Sequence, residues 1–233
     1  MKMKTIKIGL IIFALSFSLS SLIAQTQNSK KIGKIFVNME SHSEDMLDAI
    51  AAKNMKQLNN LYSHVKEEMK ALNQANDEQI GFNLLTEKQT KSLAMENSWF
   101  SLITLEMKEK DDLPALANAV NQFSGELIIL TNYKKNYRTD VAWLDYLGRE
   151  IMLLNQNYPN EPGLISIRKN DLQKTWRRIR KNLRNNKKNL ALISKTDLLI
   201  SNIMKSSNSK ELVKLAKQEL DLVDEIEKAF NIG

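Results

Sequence analysis

From about residue 41 onward, apolar residues return every three or four positions, the spacing that lines one side of an α-helix. Leu47, Ala51, Leu58, Leu61, Val65 and Leu72 keep this rhythm, and Ile50, Tyr62 and Met69 widen the stripe. A stripe of that width suits a bundle better than a two-stranded coil. Ser41 followed by Glu44 has the form of a capping box, so the pattern predicts a first helix over about 42–74. A second helix is predicted over about 86–110, with Leu93, Phe100, Ile103 and Met107 on one face. The third follows Asp111-Asp112, with Pro114 in its first turn, where a missing N–H costs nothing. The fourth is "TDVAWLDYLGREIMLLNQ", opened by Thr139. The fifth starts near Asn170 and turns Leu172, Trp176, Ile179 and Leu183 to one side. Two more are predicted over about 189–205 and from Ser209 to Phe230.

Seven amphipathic helices without a convincing strand predict an all-α, antiparallel, up-and-down helical bundle. Trp99 and Trp176 stand 77 residues apart, as do Asp112 and Asn189. This echo admits two three-helix repeats plus an N-terminal helix. Tyr158-Pro159-Asn160-Glu161-Pro162-Gly163 interrupts the helical pattern and divides the bundle domain, 41–233, into halves 41–158 and 164–233.

The first residues follow another pattern. Lys2, Lys4 and Lys7 precede an apolar run from Ile8 that ends in Leu22-Ile23-Ala24. This is the three-part form of a signal peptide over 1–24, with a flexible leader expected over 25–40. The uninterrupted run is shorter than the roughly 20 residues of a membrane span. The expectation is a periplasmic or secreted protein with no membrane span in the mature chain. There is no cysteine. That excludes thiolate metal sites, thiol nucleophiles and thioether-attached haem, and leaves apolar packing to hold an exported chain together.

The net charge of +7 is unevenly placed: Arg168 to Lys188 holds ten basic residues and one acid. Lys174, Arg177, Arg178, Lys181 and Arg184 form a stripe on the fifth helix at i,i+3 and i,i+4 spacing. Such a stripe is relieved by acids of the same chain, with Glu106, Glu109, Asp111 and Asp112 as candidates, or by an external anion. Export makes a protein client or an anionic envelope component, such as a lipid phosphate, the expected partner, and nucleic acid an unexpected one.

Two other groups could carry chemistry. Met39, His42 and Met46 lie at i, i+3 and i+7, and imidazole with thioether suits copper. The chain has only one other histidine, His64. On one continuous helix the two would stand about 33 Å apart and share no site. Asp145, Tyr146 and Arg149 surround Gly148, a mid-helix glycine that costs roughly 1 kcal/mol against alanine and fits a close helix crossing or a polar pocket. Nucleophile elbows, phosphate loops and zinc-protease helices are all missing from the sequence; an acid pair could still serve sugar chemistry, but carboxylates are too common for the sequence to nominate one.

Leu85-Thr86-x-x-Gln89 in "LLTEKQ" resembles the LTxxQ signature of the small periplasmic stress chaperones related to Spy and CpxP. The signature stands here once, where that family usually carries it twice. The resemblance implies an exported, helical, non-catalytic protein that holds unfolding clients on a cationic, partly apolar surface. Together these readings predict an exported non-catalytic binding protein, chaperone-like or envelope-interacting, acting through the basic amphipathic helix. The alternatives are a small-ligand or copper carrier and, after it, an enzyme with a carboxylate-based site.

Overall fold

The structure, a computed structural model, describes residues 31–77, 86–109, 112–131, 136–157 and 161–232. The expected signal peptide and the first residues of the leader lie outside them. The chain is an all-α up-and-down bundle. Its helices are α1 (31–51), α2 (Met55–Asp77), α3 (Glu87–Glu109), α4 (Leu113–Thr131), α5 (Asn136–Asn157), α6 (Pro162–Leu183), α7 (Leu190–Lys205) and α8 (Ser209–Phe230), with a 3₁₀ turn, Lys187–Asn189, before α7. Among the described residues no helix is long and apolar enough to cross a membrane.

The eighth helix arises because the expected first helix is two. The chain turns back at 52–54, where the Asn54 N–H bonds to the Ala49 carbonyl and the Lys53 N–H to the Ile50 carbonyl. Lys53 takes the left-handed conformation, φ 53°, that this type of helix ending requires. Asn54 then opens α2, its side-chain oxygen accepting from the Gln57 N–H at 3.2 Å. A lysine in the position usually held by glycine hid the turn from a reading by hydrophobic rhythm. Ser41 and Glu44 do not cap a helix, because α1 is already under way at residue 31. Residues 31–40 are helical rather than a polar leader, and Ile32, Phe36 and Met39 are buried. α5 and α6 also begin earlier than expected; Pro162 occupies the first turn of α6.

α3 and α4 start where the sequence placed them, each behind a side-chain cap. Thr86 and Gln89 bond reciprocally at the start of α3, at 3.0 and 3.3 Å. Asp112 accepts from the Ala115 N–H at the start of α4. Thr86 and Gln89, two of the three residues matching the LTxxQ pattern, therefore do local work as a capping box.

The apolar stripes meet in two cores. One joins α1, α2, α3 and α4, around Phe36, Met46, Leu58, Ile103 and Phe123. The other joins α5, α6, α7 and α8, around Leu144, Ile151, Trp176, Ile179 and Ile226. Cross-contacts fix the second as a closed antiparallel ring. Arg178 reaches Asp140 and Arg168 reaches Glu150 between α6 and α5. Lys195 reaches Glu225 between α7 and α8, and Tyr137 stacks on Phe230 between α5 and α8. The cores change over between α4 and α5. The Pro-rich stretch read as a midpoint joins α5 to α6, two helices of the same core.

Candidate functional site

The buried edge of α6, with Leu172, Trp176, Ile179 and Leu183, is fixed in the second core. Its opposite face is thereby held outward, and Lys174, Arg177, Arg178, Lys181 and Arg184 are all exposed. Their neutralisation is partial. Lys174 lies 3.3 Å from Asp171, and Arg178 donates to Asp140 at 2.6 Å. Arg177 donates to the Gln173 amide oxygen and makes no ion pair among the described residues. Lys181, Lys187 and Lys188 make no ion pair among the described residues. Among the described residues the acids paired with the stripe are Asp171 of α6 and Asp140 of α5; the expected Glu106, Glu109 and Asp112 form no ion pair with it, and Asp111 lies outside the described residues.

α6 packs less extensively on α7 than on α5, and a groove of about 470 Å³ opens between α6 and α7. Trp176, Ile200 and Met204 give it apolar lining, and Arg177, Arg180 and Lys205 give it cationic lining. Two cross-ties bracket it. Toward one end Lys169 donates to the Ser206 carbonyl at 2.8 Å. Toward the other, the Trp176 indole N–H donates to Asp197 Oδ1 at 2.8 Å, and Arg180 holds the same carboxylate. Burial alone would raise the Asp197 pKa, but the hydrogen bonds from Arg180 and Trp176 and the charge of Arg184 lower it below its ordinary value. Asp197 is therefore ionised at neutral pH and ties the groove wall. Three cations face one acid there. The stripe pattern on α6 could not reveal Asp197 and Lys205, because they stand on α7 and belong to the groove only once the two helices are paired.

α5 carries the second polar arrangement, and it is divided. Asp145 and Arg149 share one side: Arg149 donates to Asp145 at 2.9 Å and to Asp48 of α1 at 2.9 Å. Tyr146 turns instead to α4, where its hydroxyl donates to Gln122 Oε1 at 3.2 Å. The Gln122 and Asn121 amides both donate to the buried Glu150 carboxylate at 2.8 Å. Thus Asp145, Tyr146 and Arg149 do not line one pocket. They belong to two networks on adjacent faces, because residues one apart on a helix point about 100° from one another. At Gly148 the carboxyl of Glu219 lies where a β-carbon would stand. Glu219 is fully buried, and neither of its oxygens has a hydrogen-bond partner among the described residues. Burial, then the neighbouring Asp145, push its pKa well above the ordinary value, against the pull of Arg149. Glu44 of α1 is pushed up to about 9, chiefly by burial and then by Asp145 and Glu40.

The Met39-His42-Met46 edge is not assembled as a ligand set. Met39 and Met46 are packed inside the first core, while His42 sits nearer the surface with Nδ1 3.1 Å from Glu68 of α2. His64, expected to be remote, lies beside it with ring centroids 5.3 Å apart.

No protein-family model, no characterised protein and no solved structure matches the chain significantly.

Proposed function

We propose that this chain is an exported, non-catalytic binding protein that takes an anionic amphiphile in the α6–α7 groove. The observation that carries the reading is Arg177, which lines the groove without an ion pair among the described residues, across an apolar lining of Trp176, Ile200 and Met204. The volume of about 470 Å³ is in the range of small-molecule sites, roughly 300–1,000 Å³. An acidic head group would meet Arg177 and Lys205, and an alkyl tail would cover the apolar lining. A phosphate-bearing envelope lipid has this chemistry, and the signal-like N-terminus supports meeting it outside the cytoplasm. The exposed Lys181, Lys187 and Lys188 extend the positive field beyond the groove and steer an anion toward it.

Calorimetric titration with dodecyl phosphate tests the proposal, with the uncharged dodecyl maltoside as control. Saturable binding of the phosphate, weakened at least tenfold by the paired charge reversal Arg177→Glu and Lys205→Glu in a variant that keeps its helical content, is expected. Equal binding of the two amphiphiles, or binding indifferent to the reversals, would sink the reading.

A further inference from the structure

We propose that His42 and His64 form a binding site for a borderline transition-metal ion, with Zn²⁺ as the reference case, on the α1–α2 hairpin. The turn at Lys53 is what creates it. Lys53 lies eleven residues from His42 and eleven from His64, so folding the chain back there sets the two histidines side by side. Their ring centroids are 5.3 Å apart with planes 23° from parallel. Two imidazoles sharing one tetrahedral ion, at Zn–N distances of about 2.0–2.1 Å, hold their centroids roughly 5 Å apart. The centroid separation matches that value, but the rings are stacked, so binding an ion requires each ring to turn about its Cβ–Cγ bond until a nitrogen of each faces the ion.

The surrounding groups favour the same role. Glu68 Oε2 lies 3.1 Å from His42 Nδ1. A carboxylate there accepts the Nδ1 proton and leaves the Nε2 lone pair free, the arrangement that orients metal-ligating histidines and raises their basicity. Glu68 follows His64 by one helical turn, so α2 supplies both the second ligand and the orienting acid. His42 is partly exposed and His64 is exposed, which gives an ion an open path. Among the described residues no three His, Asp or Glu side chains already gather as a ligand set. The site accordingly supplies two protein nitrogens, and water or an external donor completes the coordination. Imidazole ligands select Zn²⁺, Cu²⁺ or Ni²⁺ over Ca²⁺ and Mg²⁺. The packed thioethers of Met39 and Met46 take no part. This site is independent of the α6–α7 groove.

The test is calorimetric titration of the untagged protein with ZnCl₂, with the histidine ring protons followed by NMR. One Zn²⁺ per chain is expected, with both histidines shifting together; they are the only two in the chain, so the signals are unambiguous. His64→Ala, at an exposed position, is expected to weaken binding at least tenfold. Glu68→Gln should weaken it by about tenfold, through the orientation of His42. Met39→Leu and Met46→Leu should leave it unchanged. Absence of saturable Zn²⁺ binding, or binding that survives His64→Ala with the ring signals unmoved, overturns the proposal.

Discussion

The Glu219 carboxyl of α8 rests against Gly148 of α5, filling the place where any other residue would carry its β-carbon. Beside it, Leu220 Cδ2 would lie 3.2 Å from that atom. Gly148→Ala would ordinarily stabilise a helix interior by about 1 kcal/mol. Here overpacking at a buried crossing is expected to reverse the sign, with a net loss of about 1–3 kcal/mol in urea unfolding. The loss should shrink in a Glu219→Ala background. An equal loss in both backgrounds would show that Glu219 is not what alanine meets.

Arg149 is the cation that Asp145 and Asp48 share, in a region that also holds Glu44 and Glu219. Arg149→Ala leaves those acids facing one another without it. Removing one partner of a buried pair costs about 3–5 kcal/mol, and a loss at that level is expected in chemical denaturation. A loss under 1 kcal/mol would mean that solvent, rather than Arg149, compensates the acids.

Glu96 of α3 is fully buried, with both carboxyl oxygens unpartnered among the described residues. Burial, and then Glu126, push its pKa from 4.5 to about 8. A carboxyl whose pKa is higher in the folded state binds its proton more tightly there than in the unfolded chain. Its contribution to stability is whole below about pH 4.5 and is lost as the pH rises toward 8. Stability should therefore fall over this window, and Glu96→Gln should reduce the fall by on the order of 2–4 kcal/mol. Melting curves of the two proteins at pH 5 and pH 8 decide it: parallel pH dependences would refute the assignment.

The hairpin turn gives a prediction of the opposite sign. Lys53 holds φ 53°, a conformation that costs an L-residue roughly 1–2 kcal/mol and glycine little. Lys53→Gly should raise stability by about 0.5–1 kcal/mol, after the greater entropy of glycine in the unfolded chain is subtracted. Asn54→Ala, which removes the α2 cap, should lower stability by about 1 kcal/mol. A destabilised Lys53→Gly protein would show that the lysine side chain, not the backbone, makes the turn.

The architecture was legible in the sequence because helical periodicity is a local property. The stripes through Leu58, Leu61 and Val65 and through Leu172, Trp176 and Ile179 are the stripes that are buried. The Thr86 and Asp112 caps were legible for the same reason. The turn at Lys53 was not, since its residues keep the apolar rhythm and lack glycine or proline. That single omission separated His42 from His64. The exposure of the basic stripe on α6 followed from periodicity, but the pairing of Arg178 with Asp140, and of the neighbouring Arg180 with Asp197, did not, because those acids reach α6 only through tertiary pairing. Asp145 with Arg149 was readable at i,i+4 spacing. The destination of Tyr146 was not, because a rotation of one residue sends a side chain to a different neighbouring helix.

Ile128 stands on α4, yet its side chain belongs to the core of α5–α8; Leu153 stands on α5, yet it belongs to the core of α1–α4. Each half thus lends one apolar side chain to the other. If either half melts alone, it strips a buried residue from the half left standing, so the intact remnant inherits an open seam. The exchange couples the two cores as folding units, and it makes a single cooperative transition, rather than two successive ones, the natural mode of unfolding for this chain.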